Sequence, residues 1–127
     1  MAKYDMVALT KWAEKSAAQF WQYAKREFAK KGFDIGIMPT IKMNARLTAT
    51  AGRAFSAENM IDLSCYLMTR NYEHFHKDTI PHELCHIIAD KLGSKGHDKI
   101  WYDVVKYLKV ETSRCHNMIT KYKAEKC

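Results

Sequence analysis

Leu9, Trp12, Ala13, Phe20, Trp21, Ala24 and Phe28 recur at the three-to-four-residue interval that lays an apolar stripe along one face of a helix. The spacing predicts a helix from Val7 to about Lys31, closed by Gly32. The aromatic stripe reads as core packing, and the opposite face, with Lys15, Lys25, Arg26 and Lys30, as a solvated surface. Three segments with strand character follow, Ile35 to Met43, Leu47 to Phe55 and Met60 to Leu67, separated by stretches rich in Gly, Asn, Ser and Ala. They predict a three-stranded, mostly antiparallel sheet.

Helical periodicity returns from about Asn71 towards Leu92, with Pro81 inside it. Proline lacks the backbone donor and disfavours helical geometry in the residue before it, so it marks a kink or the first turn of a new helix, Pro81 to Leu92. Gly93-Ser94-Lys95-Gly96 reads as a loop. Asp98 then caps a third helix whose apolar side holds Ile100, Trp101, Val104, Val105 and Leu108. The elements add up to an α+β fold, with helices packed on a small sheet. There is no internal repeat and no low-complexity segment.

Composition narrows the setting. At 127 residues, 47% apolar and with three tryptophans, the chain can fill the core of one domain spanning residues 1–127. Its formal net charge of +7 favours a polyanionic partner such as DNA, although a basic surface also serves solubility. Cys65, Cys85, Cys115 and Cys127 form no C-x-x-C pair and no disulfide framework, which points to a reducing compartment. The N-terminus lacks the apolar run of a signal peptide, and no stretch is long enough to cross a bilayer. The expectation is a cytoplasmic protein with no membrane partner.

The chemistry concentrates in His82-Glu83-Leu84-Cys85-His86. Histidines four apart lie on one helix face and can present imidazole nitrogens to a single Zn2+ ion. Glu83, rotated to the side, can take a proton from a water attacking a carbonyl and later pass it to the leaving amine. Catalytic zinc commonly takes three protein ligands and keeps one position open, so a further ligand is required. His97 is the choice by position, because it follows His86 across a helix end and a glycine-flanked loop. Glu111, Asp98 and Asp103 are competitors, whereas an H-E-x-x-H-x-x-G-x-x-H arrangement is excluded by Ala89. His74 and His76 read as helix-face residues and His116 as structural or substrate-side. Asp90 reads as a solvated carboxylate one turn beyond His86, and Cys85 as a small buried filler.

Several blocks in order resemble the SprT-like zinc metallopeptidases, the family that includes bacterial SprT proteins and the eukaryotic protease Spartan. They are Asn44, Thr50-Ala51-Gly52-Arg53-Ala54, Ile61-Asp62-Leu63-Ser64, Ile80-Pro81-His82-Glu83-Leu84-Cys85-His86, Gly96-His97-Asp98-Lys99-Ile100-Trp101 and Ser113-Arg114-Cys115-His116. The resemblance implies His82, His86 and His97 as zinc ligands and Glu83 as catalytic base. It also implies a zincin-like fold, with an N-terminal helix and the zinc helix on a small sheet, and protein substrates that include proteins crosslinked to DNA. Asp98 stands where the family usually has Gly, and Ser64 where Asn is common. Bacterial relatives often continue into a cysteine-rich zinc ribbon. The chain reaches Cys127 without paired cysteines, so the expectation is a single SprT-like domain with the ribbon absent or truncated.

The leading function is therefore zinc-dependent hydrolysis of peptide bonds in a protein or peptide substrate. A nucleic-acid-binding module with a structural zinc is the alternative, and a hydrolase with a non-protein substrate ranks third.

Overall fold

A computed structural model describes residues 4–110. Helix α1, Met6–Ala29, starts where Asp5 accepts a hydrogen bond from the Ala8 amide at 3.1 Å, satisfying one of the orphan donors of the first turn. It buries Leu9, Ala13, Trp21, Ala24 and Phe28, the stripe expected from the periodicity. Past its end, beside Gly32, the Phe33 amide bonds back to the Phe28 carbonyl and the two rings pack edge to face.

The sheet contains β1 (Thr40–Asn44), β2 (Gly52–Phe55) and β3 (Met60–Ser64) in the order β1-β3-β2. A 3-10 turn, Ser56–Glu58, with Asn59 in the left-handed region joins β2 to β3 as an antiparallel hairpin. The longer connection 45–51 carries the chain past β3, so β1 lies on its far side and runs parallel to it, Thr40 opposite Met60 through Asn44 opposite Ser64. The sheet of the α+β fold is thus mixed, where three strand-like segments in succession predicted mostly antiparallel pairing. Each strand is also shorter than its apolar run. At the end of β3, Ser64 accepts from the Leu67 amide at 3.0 Å and starts helix α2, Cys65–Arg70.

Tyr72–His74 (α3) leads through a π-helical stretch, Phe75–Thr79, into α4, Ile80–Lys91. The π stretch is the form taken by the expected irregularity at Pro81. A proline ring crowds the carbonyl four residues earlier and removes its donor, and the wider turn relieves both. Helix α5, Lys99–Tyr107, is capped by Asp98 as predicted, with 3.1 Å from the Trp101 amide to the carboxylate.

Helices α1 and α4 contact each other, α1 packs on β1 and α4 on β2, and α5 lies against α4. Ile61, Leu63, Phe75, Ile80, Leu84 and Trp101 are among the fully buried side chains between them. Cys65 and Cys85 are buried free thiols. Cys115, Cys127 and the block Ser113 to His116 lie outside the described residues. Among the described residues no helix is long and apolar enough to cross a membrane.

Candidate metal centre

Helix α4 projects His82 and His86 from one face, one turn apart. The chain then has to reverse. Gly93, at φ +98°, does this: its amide bonds to the Asp90 carbonyl and the Ser94 amide to the Ala89 carbonyl, closing the helix in a conformation that a side chain would strain. The Asp98 carboxylate gathers the next residues, accepting from Ser94 Oγ at 2.6 Å, the Lys95 amide at 2.9 Å and the Trp101 amide at 3.1 Å. The Ser94, Lys95 and Trp101 bonds, in that order of weight, hold its pKa down at about 2. His97, locked between this loop and α5, points back at the other two histidines.

The His97 Nε2 atom lies 3.1 Å from His86 Nε2 and 3.2 Å from His82 Nε2. One ring nitrogen carries one proton or one lone pair, so His97 Nε2 cannot make a good hydrogen bond to both neighbours. A cation resolves the conflict. With metal–nitrogen bonds of about 2.0–2.1 Å, a tetrahedral ion separates its ligand nitrogens by about 3.3 Å, close to the observed spacing. Ligand atoms of all three histidines fall within 4.8 Å of one another, and His82, His86 and His97 form a group that can hold a metal ion. Burial, reinforced by His97 and opposed by Asp98, lowers the pKa of His86 to about 4, so its imidazole is neutral and available as a ligand.

Glu83 is buried beside this group. Loss of solvent, with the Asp62 and Asp78 carboxylates adding repulsion, pushes its pKa up to about 8. A cation at the imidazoles opposes that shift and favours the carboxylate. Strand β2 approaches closely: a Cβ on Gly52 would stand 3.2 Å from Glu83 Cγ and 3.1 Å from the Asp62 carbonyl oxygen. The absence of a side chain at 52 therefore lets the strand run against the glutamate. A cleft of about 290 Å³ opens here, between Ala54 of β2, Ser56 of the turn that follows it, Glu83 and His86 of α4, and Lys95-Gly96. Among the described residues strand β2 pairs with β3 alone, which leaves its other edge open there.

The remaining sequence candidates fall elsewhere. Asp98 turns its carboxylate to the loop, and Asp103 pairs with Lys99 at 2.9 Å. His74 meets Asp78 at 3.2 Å, and His76 meets Ser16 at 2.6 Å. Asp90 is exposed at the cleft rim. Cys85 is buried, and burial raises its thiol pKa, as fits an inert filler. Glu111 and His116 lie outside the described residues. Sequence reasoning missed Asp62, a buried carboxylate next to Glu83. Burial alone would raise its pKa, but hydrogen bonds from Arg53 and Asn44 outweigh that and hold it below the ordinary carboxylate range. Asp78 was also missed. Its only sequence signal is its position one turn before His82.

Comparison with known proteins gives the family. The SprT-like family profile matches residues 17–122. Protein SprT of Pseudomonas aeruginosa (strain PAO1) is 30% identical over 90 residues, covering 68% of this chain and 54% of that protein. Protein SprT of Pseudomonas syringae pv. tomato is 31% identical over 70 residues, covering 52% of this chain and 43% of that protein. The chain thus spans about half the length of the curated relatives it matches. No solved structure matches it.

Proposed function

Because the chain belongs to the SprT-like family, and three imidazoles converge beside a buried glutamate, we propose that it is a zinc-dependent metallopeptidase with a zincin-like layout. The observation that carries this reading is the convergence of the three Nε2 atoms next to Glu83. Three imidazole nitrogen ligands and an open side towards a cleft are the donor set of a catalytic rather than a structural zinc. In this reading His82, His86 and His97 hold the ion, which supplies Lewis acidity when bound.

Glu83 accepts a proton from the attacking water and delivers it to the leaving amine. Its seclusion from solvent keeps competing water from its oxygens, and Gly52 keeps β2 close enough for one substrate to touch both strand and glutamate. The open edge of β2 binds the substrate as an added strand, whose main-chain hydrogen bonds place the scissile carbonyl over the histidines. Substrates are proteins, including DNA-associated or DNA-crosslinked ones, with the +7 charge favouring DNA contact. The setting is the cytoplasm, close to nucleoid or nuclear DNA.

The net charge also supports the second reading, a nucleic-acid-binding module with a structural zinc. Digestion of a denatured protein substrate separates the two. The peptidase reading expects cleavage by the zinc-loaded chain that stops on chelation and returns with zinc. The binding-module reading expects salt-dependent DNA binding and no cleavage with or without DNA.

A further inference from the structure

Trp101 stands in the first turn of α5, four residues after His97, and is 1% exposed. Its ring meets all three imidazoles. The centroid is 5.1 Å from His86 with the planes 19° apart, 4.9 Å from His82 at 61°, and 4.5 Å from His97 at 77°. A single side chain therefore packs against ligand candidates from both α4 and the loop beyond it. Its Nε1 is buried and has no hydrogen-bond partner among the described residues. An unpaired buried N–H is unfavourable, and a phenyl ring in the same place would not carry it. Apolar cover for α5 is already supplied by Val104, Val105 and Leu108. What a phenyl ring lacks is the breadth to reach three imidazoles at once.

We infer that Trp101 is a positioning residue: its indole forms a wall behind His82, His86 and His97 that fixes their ring planes so that the three Nε2 atoms face one another before a metal binds. The inference rests on reading the three histidines as a metal centre. Imidazoles turn about two side-chain torsions, and ordering three of them at the moment of binding lowers affinity. Packing on one rigid ring transfers that ordering to folding. His97 depends on it most, because it is the most exposed of the three and sits outside α4.

The test is Trp101→Phe in the whole chain, read by three measurements. They are thermal melting in chelator, zinc affinity by competition with a chromophoric chelator, and the visible spectrum of the Co2+ form. The expected result is a variant that melts within a few degrees of the parent but binds zinc about tenfold or more weakly, with an altered Co2+ band. A folded variant with parental zinc affinity and an unchanged Co2+ spectrum overturns the inference. A parent that binds no zinc overturns the metal-centre reading instead. If the variant does not fold, NMR of the parent decides. The stacked indole should displace the His86 ring protons upfield in chelator as well as with zinc, and a displacement that appears only when zinc is added contradicts positioning in advance.

Discussion

His97 Nε2 lies 3.2 Å from His82 Nε2 although fifteen residues of chain separate the two. The approach depends on two local devices, the left-handed Gly93 that ends α4 and the Asp98 carboxylate that draws Ser94, Lys95 and Trp101 around itself. A carboxylate held by Ser94, Lys95 and Trp101 thus sets the position of one imidazole of the group.

Replacing Asp98 by Ala should weaken metal binding about tenfold, the loss typical of groups that orient a ligand, while Asp98→Asn, which keeps an acceptor for the cap, should lose less. The Asp98 pKa is depressed from 3.8 to about 2, so its contribution to stability is full above the unfolded value and is lost as pH falls towards the folded one. Melting curves should therefore show a constant gap between parent and Asp98→Ala at neutral pH that closes below about pH 4.

Glu83 has the opposite sign. Its folded pKa of about 8 exceeds the ordinary 4.5, so the buried carboxyl is tolerated when neutral and destabilises the chain increasingly as pH rises between those values. With chelator present, Glu83→Gln should melt higher than the parent at pH 8, by at most about 4 kcal/mol of stability, and the two should converge near pH 5. A variant less stable than the parent at pH 8 would show that Glu83 is held as a satisfied carboxylate.

At Gly52, an added methyl group would press on Glu83 Cγ, the Asp62 carbonyl and Leu63 together. Gly52→Ala should cost about 1–3 kcal/mol and lower the rate of cleavage, because β2 must move off α4. Denaturant melts and cleavage assays check the two effects separately.

Much of this was legible in the sequence, and what was not shares a physical cause. The stripe from Leu9 to Phe28, the Asp98 cap and the histidine pair on α4 are local patterns, set by residues within a turn or two of one another. The parallel pairing of β1 with β3 is not local: alternation marks a strand but not which neighbour it takes. Met60 to Leu67 looked like one strand because a short apolar run suits either element, and the helix after Ser64 is signalled only by that serine as a cap. Trp101 belongs to the apolar face of α5 by spacing, and its contact with three imidazoles exists only once α4 and α5 are packed. Gly52 is the same kind of case, since its need to be glycine comes from Glu83 on another element.

Metal removal gives a prediction free of any substrate. Zinc held at about a thousandfold above its dissociation constant stabilises the folded chain by about 4 kcal/mol. Chelation should therefore lower the melting temperature by on the order of 10 °C. His97→Ala should abolish most of that difference, and a variant that kept the full shift would move the third ligand to another residue.

In the proposed function Glu83 moves the proton in peptide-bond hydrolysis while His82, His86 and His97 hold zinc. The direct measurement is cleavage of a denatured protein by the zinc-loaded parent and by Glu83→Gln, with zinc content determined on both samples. The expected result is one zinc per chain in each and a rate at least about a hundredfold lower in the variant. Equal cleavage rates at equal zinc content would contradict it.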